Sequence, residues 1–466
     1  MQITKNLKEN IKNINNYYNI GNTFDIIARE LLIGKKKAYL LMIDGFIKEQ
    51  SMLLIIQRLQ EIKPKTRKDL PSFIKSTIAY TEVEYTKDFA KVDSMFLSGA
   101  AVLFIDGYED VIILDVREYQ VRAVSEPDLE KVTRGPRDGF VETMLFNTTL
   151  IRRRIKDHNL QFKLKEVGNI SKTNIAISYI EGKANQALVD NILKKIDQIN
   201  IDSLTMGEKS LAELMFPNKW YNPMPKVRYS ERPDVVASHL TEGHIIIVVD
   251  TSSSVLIIPT TLFHFTQYAE DYYQTPIVGT YIRQLRFIIL LITLLLTPTW
   301  FLLYKYSVVD LWFLKDINEV NIPVFFQLLI LEIGIDILRM SSIHTPASLS
   351  STLGIIGGII LSNFAVDAGF LSVEVILFTA ITGLCSFAIP MVELSYAMQI
   401  FRLFLLIITG IFKLPGFIIG LIIIIIIIAT TNNGTKTPYL YPLIPMNFKD
   451  LKNIVFRMPI PRSRNR

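Results

Sequence analysis

Short apolar blocks separated by polar turns occupy the chain up to about residue 286, and long apolar runs replace them from Phe287 onward. At the N-terminus, Ile3, Leu7, Ile11 and Ile14 recur at the spacing of a weakly amphipathic helix. Phe24 to Leu32 reads as a second helix. AYLLMIDGFI is an apolar strand closed by an Asp44-Gly45 turn. Ser51 to Leu59 returns to helical spacing, and the Pro64 to Pro71 region reads as a linker. AVLFIDGYEDVIILDVREY then repeats the apolar run and its Asp106-Gly107 turn, now followed by VIILDV, which predicts a hairpin. The two matched segments fit either a duplicated unit or convergent turn chemistry. Beyond a loop at Gly135, Pro136 and Gly139, a helix carries the basic row Arg152, Arg153, Arg154 and Lys156. Its expected setting is a solvated face with internal ion pairs. TNIAISYI and ALVDNILKKIDQI form a strand and a helix, another helix lies near Pro233 to Leu240, and HIIIVVDTSSSVLIIPTTLF is a hairpin ending at Pro259. These elements predict an α/β or α+β module in two lobes, residues 1–135 and 136–286, the second ending in a short Tyr281 to Arg286 junction.

The remaining third changes character. Six apolar segments follow one another: about Phe287 to Leu303, Ile322 to Leu338, Leu353 to Phe370, Val373 to Met391, Leu394 to Phe412 and Leu414 to Thr430. An α-helix needs roughly 17 to 25 apolar residues to cross a bilayer, so residues 287–430 are expected to form a polytopic helical membrane domain. The second segment carries Glu332 and Asp336 one helical turn apart, then Arg339. Ionisable groups at membrane depth are costly unless a polar neighbour or water receives them. They either line a polar path or pair with arginines, with Arg402 of the fifth segment as a candidate partner. Alternatively, the helix ends at an interface and its acids touch water. The third segment holds Asn363 and Asp367, polar enough for a broken, re-entrant or pore-lining helix, together with the small residues Gly354, Gly357 and Gly358. Only Lys413, Leu414 and Pro415 separate the fifth and sixth segments, which fit a tight hairpin or a tilt. Gly416 and Gly420 supply a second face for close packing.

Charge refines the topology. The chain of 466 residues has a formal net charge of +6. The tail, residues 431–466, sets Lys436, Lys449, Lys452, Arg457, Arg462, Arg464 and Arg466 against Asp450 alone. With Arg283 and Arg286 before the first span, positive-inside bias puts both ends in the cytoplasm and calls for an even number of crossings, four or six. The polar N-terminus has no apolar signal-peptide core. Cys385, the single cysteine, reads as a small buried side chain. His158, His239, His244, His264 and His344 lack metal-ligand spacing. Nucleotide-binding loops and catalytic motifs are absent. No cofactor, metal, enzyme activity or nucleic-acid partner is therefore expected.

Three long stretches carry a resemblance. WYNPMPKVRYSERPDVVASHLTEGHIIIVVDTSSSVLIIPTTLFHFTQYAEDYYQTP, RGPRDGFVETMLFNTTLIRRRIKDHNL and PYLYPLIPMNFKD resemble the A subunits of spore germination receptors, the GerA family. VDTSSSVLIIPTT, QTPIVGTYIRQLRF and RMPIPRSRNR look most like a branch of that family that amplifies germination rather than sensing nutrients. The resemblance implies a multi-pass protein of the inner membrane of the endospore, with a large N-terminal domain on the spore-core side. It implies a homo-oligomer, a pentamer, that passes monovalent cations and works with a small membrane partner and other germination proteins. The family's acidic pattern followed by Arg falls on Glu332, Asp336 and Arg339. Two other roles stay open: an A subunit of a nutrient receptor, and a scaffold that clusters germination proteins without conducting.

Overall fold

The computed structural model describes residues 2–34, 36–61, 74, 83–117, 130–217, 219–306, 322–344, 369–434 and 437–459. It divides into two compact units, Met1–Pro217 with Val227–Pro259, and Asn218–Lys226 with Thr260–Arg466.

The first unit contains two antiparallel sheets built on one plan. Helix α1 (Leu7–Tyr17) precedes strands β1 (Ile26–Ile33) and β2 (Lys36–Ile43), helix α2 (Glu49–Gln60), β3 (Val83–Thr86), α3 (Phe89–Leu97), β4 (Ala101–Ile105) and β5 (Val111–Leu114). The second lobe runs α4 (Met144–Arg154), β6 (Leu160–Val167), β7 (Thr173–Ile180), α5 (Gln186–Asp197), α6 (Gly207–Met215), β8 (Arg228–Ser230), α7 (Pro233–Thr241), β9 (Ile245–Val249) and β10 (Val255–Ile258). Their sheet orders, β1-β2-β4-β5-β3 and β6-β7-β9-β10-β8, are the same once each lobe is counted from its own first strand.

Helices cover both faces of each sheet, which explains why the central strands read as unbroken apolar runs. In the first lobe Tyr39, Leu41, Val102, Phe104 and Ile113 pack with Leu7, Ile14 and Phe96 on one face. Leu40, Leu103, Ile105 and Ile112 pack with Met52, Ile55 and Leu59 on the other. The second lobe repeats this, with Ile175, Ile177 and Ile247 against Val189 and Leu211, and Ala176, Ile246 and Val248 against Ile151, Val236 and Leu240.

The repetition extends to hydrogen bonds. Asn10 in α1 accepts from the Thr4 amide and donates to the Thr4 carbonyl, while Asn147 in α4 does the same with Val141. Asp106, just after β4, accepts from the amide of Leu7, and Asp250, just after β9, accepts from that of Met144. What the structure repeats is the lobe, not the strand-turn segment. The matched Asp-Gly segments belong to one sheet, where β2 and β4 pair directly with Leu41 opposite Val102.

Two readings need correction. Residues expected to be helical from Phe24 to Leu32 form strand β1, paired with β2 from Ile26↔Ile43 to Ile33↔Lys36. Leu, Arg, Glu and Ala favour helix locally, but edge pairing with β2 and burial of Ile26, Leu31 and Ile33 override that preference. In the basic row of α4, Arg152 is buried rather than solvated. Its guanidinium bonds the Asp25 carboxylate and the carbonyls of Asp157 and Leu160, joining the two lobes.

The second unit is helical. Helix α8 (Pro276–Lys305) carries the first apolar run and begins ahead of it, so Tyr281–Arg286 is helical. It is followed by α9 (Val324–His344), α10 (Val373–Phe387), α11 (Val392–Ala429) and the short α12 (Phe448–Val455). Both α8 and α11 are long and apolar enough to cross a membrane. Helix α11 is two arms joined at Lys413, whose φ of 55° and ψ of −134° break the helix. A Cβ on Gly416 would lie 2.4 Å from the Ile408 carbonyl oxygen, and one on Gly420 2.8 Å from Leu405 Cδ1. Such proximity between residues 405 and 420 requires the arms to fold back on each other, so these glycines permit the close approach. Beyond α11 the chain returns to the segment leading into α8: Asn433 donates to the Thr260 carbonyl, and Tyr439 accepts from the Leu262 amide.

Candidate functional site: a charge ladder in the helical unit

Polar residues in the helical unit fall on matched stripes. Glu332, Asp336 and Arg339 occupy positions i, i+4 and i+7 of α9, and Ser395, Gln399 and Arg402 occupy the same spacing on the first arm of α11. Each set therefore lies along one side of its helix. The stripes meet in opposite directions. Arg402 Nη2 donates to Glu332 Oε2 at 2.5 Å, while Arg339 Nη1 reaches Ser395 Oγ at 3.2 Å and Gln399 Oε1 at 3.3 Å.

Helices α8 and α10 close the ends. Thr297 donates to Glu332 Oε1 at 3.1 Å and lies 3.3 Å from the Thr382 hydroxyl. Arg402 Nη1 donates to the Thr293 carbonyl at 3.0 Å. At the other end Ser395 donates to the Ser386 carbonyl, and the Arg339 guanidinium lies over Tyr396, 4.4 Å from the ring centroid. Glu332, Arg402, Thr293, Thr297 and Thr382 are all buried.

Asp336 is the exception. Among the described residues, its Oδ1 is buried without a hydrogen-bond partner, and so is Nε of Arg402. Among the described residues the ladder holds two carboxylates and two guanidiniums; Glu332 is bonded to Arg402, whereas one oxygen of Asp336 has no donor. Asn363, Asp367, Gly354, Gly357 and Gly358 lie outside the described residues.

A second charged cluster lies where α8 begins. Asp271, fully buried, accepts from Arg283 Nε at 3.3 Å and from both terminal nitrogens of Arg286 at 2.9 and 3.0 Å. Arg283 also donates to the Asn453 and Ile454 carbonyls at the end of α12, and Arg286 to that of Thr266. The two arginines that flank the first span are thus structural as well as positive, and Asp271 offsets part of their charge. Sequence reading missed Asp271 because nothing local separates it from Glu270.

Comparison with known proteins decides the family. The Bacillus/Clostridium GerA spore germination protein model matches residues 12–466. The chain belongs to the GerA family. It is 38% identical over 471 residues to stage V sporulation protein AF of Bacillus subtilis (strain 168), covering 100% of this chain and 95% of that one. It is 29% identical over 476 residues to the uncharacterized membrane protein YfkQ of the same organism, covering 98% and 90%. Among solved structures, the N-terminal domain of the A subunit of the Bacillus megaterium spore germinant receptor GerK3 matches with 26% identity and a TM-score of 0.43, over 55% of this chain and 96% of that one. This GerA-family protein is accordingly a membrane protein of spore germination or sporulation.

Proposed function

We propose that this GerA-family protein is a non-enzymatic subunit of a homo-oligomeric channel in the inner membrane of the endospore. It passes monovalent cations to amplify germination, together with a small membrane partner. The observation that carries this reading is the buried carboxylate oxygen of Asp336, which has no hydrogen-bond donor among the described residues. A negative group not neutralised by a hydrogen-bonded partner raises local cation concentration and disfavours anions. Glu332 serves this path indirectly, by holding α9 against α11 through Arg402.

Potassium and sodium flux through the purified protein in liposomes tests the reading. Asp336→Asn is expected to lower flux or cation preference while leaving the assembly intact. Unchanged flux and selectivity in that variant would remove Asp336 from the path. A non-conducting scaffold has one observation in its favour, since the Glu332–Arg402 pair is the kind of tie that stiffens a bundle; it requires the wild-type protein to show no flux at all.

A further inference from the structure

Trp220 is 97% exposed, the extreme among the large hydrophobic side chains described. It belongs to the segment Asn218–Lys226, which the fold builds into the helical unit. Three hydrogen bonds hold this segment at the end of the last span. Asn222 Nδ2 donates to Thr431 Oγ1 at 2.9 Å, two residues past the end of α11, the buried Tyr439 hydroxyl donates to the Pro225 carbonyl at 2.8 Å, and Thr260 Oγ1 donates to the Lys226 carbonyl. The exposed Trp220 and its neighbour Tyr221, ring against ring at 5.9 Å, therefore lie where the helices leave the apolar layer.

The chain after α11 exposes a second apolar group at the same rim. Leu443, Ile444, Met446 and Phe448 are all exposed, Phe448 at 75%, and no residue of α12 is buried. The level of α12 is set by α8. Arg283 bonds the carbonyls of Asn453 and Ile454, and Thr280 Oγ1 accepts from the Arg457 amide. Arg283 and Thr280 precede the apolar run at Phe287 by about 6 and 10 Å at the helical rise. The headgroup layer is about 5 to 7 Å deep on each side of the hydrocarbon core, so the Arg283 contact falls within it and the Thr280 contact just beyond it. Exposed apolar side chains on the segment that leads to this tie, beside the exposed Lys219, Lys449 and Lys452, have the composition of an interfacial anchor: aromatic rings at the headgroup level and amines toward lipid phosphate.

We propose that Trp220 and Tyr221 with the Leu443 to Phe448 segment form one collar immersed in the headgroup layer, and that the lysines beside it contact anionic phospholipid. The collar does not depend on ion conduction. It gives the segment between α6 and β8 a lipid attachment separate from the spans.

The full-length protein in lipid nanodiscs tests this. The fluorescence of Trp220, taken as wild type minus Trp220→Phe, is expected to lose most of its intensity when the lipids are brominated near the top of the acyl chain, and to resist aqueous iodide. Free quenching by iodide with no response to brominated lipid would overturn the proposal. A nitroxide on Phe448→Cys, in a Cys385→Ser background, is expected to be more accessible to oxygen than to a water-soluble nickel chelate. Protection from both would mean that a protein or a second copy covers the site, and would also overturn it. Replacing phosphatidylcholine with phosphatidylglycerol should deepen the label, and Lys449→Glu with Lys452→Glu should abolish that shift; a label indifferent to lipid charge would refute the anionic contact.

Discussion

Arg402 Nη2 donates to Glu332 Oε2 at 2.5 Å between antiparallel helices, from positions 70 residues apart in the chain. Both side chains are buried, so the pair bridges α9 and α11 where little solvent reaches either charge. Removing one partner leaves the other charged and unpaired. Arg402→Ala is expected to destabilise the helical unit by about 3 to 5 kcal/mol, and the double variant Glu332→Gln with Arg402→Met by much less. Thermal unfolding of the purified protein in detergent distinguishes these outcomes.

A comparable tie joins the lobes. Arg152 Nε donates to Asp25 Oδ2 at 2.9 Å with both side chains almost fully buried, and Thr23 also donates to Asp25. Arg152→Met should cost about 3 to 5 kcal/mol, because it strands a buried carboxylate and two carbonyls. The urea midpoint of the N-terminal unit measures this. Arg153→Met, on the same helix but exposed, should change it little.

Asn10 and Asn147 play the same part in the two lobes. Each closes a loop by a pair of hydrogen bonds to the residue six places earlier. Asn10→Ala and Asn147→Ala should each lose about 1 to 3 kcal/mol. Hydrogen exchange is expected to report the loss in the lobe that carries the substitution, at α1 in one case and α4 in the other.

At the start of α8, Asp271→Asn should loosen the end of α12, because Arg283 and Arg286 lose their shared carboxylate. The expected cost is about 3 to 5 kcal/mol. Limited proteolysis should then release the C-terminal tail sooner than in the wild type.

His244 gives the N-terminal unit a pH dependence. Burial first, and then the Arg228 charge, push its imidazole down to about 4 from 6.5, against the opposing effect of its bond to the His239 carbonyl. The unfolded chain binds this proton more readily than the folded one. Stability is therefore full above about pH 6.5 and falls as the pH drops toward 4, by up to about 3 kcal/mol. Urea midpoints between these pH values should fall in the wild type and flatten in His244→Gln.

Local pattern made much of this protein legible. The unbroken apolar runs gave away the buried strands and the two helices long and apolar enough to cross a membrane, because an apolar setting on all sides requires apolar side chains at every position. The β4–β5 and β9–β10 hairpins followed from their turn residues, and the break at Lys413 from the interruption of two apolar segments. The i, i+4 spacing of Glu332 and Asp336 placed both on one side of α9, since helical geometry alone determines that.

Choice of partner belonged to the tertiary structure. Strand β1 has helix-favouring residues and became a strand only because β2 lies beside it. Arg152 looked like its neighbours Arg153 and Arg154 until Asp25, from the other lobe, faced it. Arg402 was one candidate for two acids, and only the packing of α9 on α11 gave it to Glu332 and left an oxygen of Asp336 without a donor among the described residues. Periodicity arises from sterics within a few residues, whereas a charge pair depends on which distant side chain shares its low-dielectric surroundings, and that is settled when the chain packs.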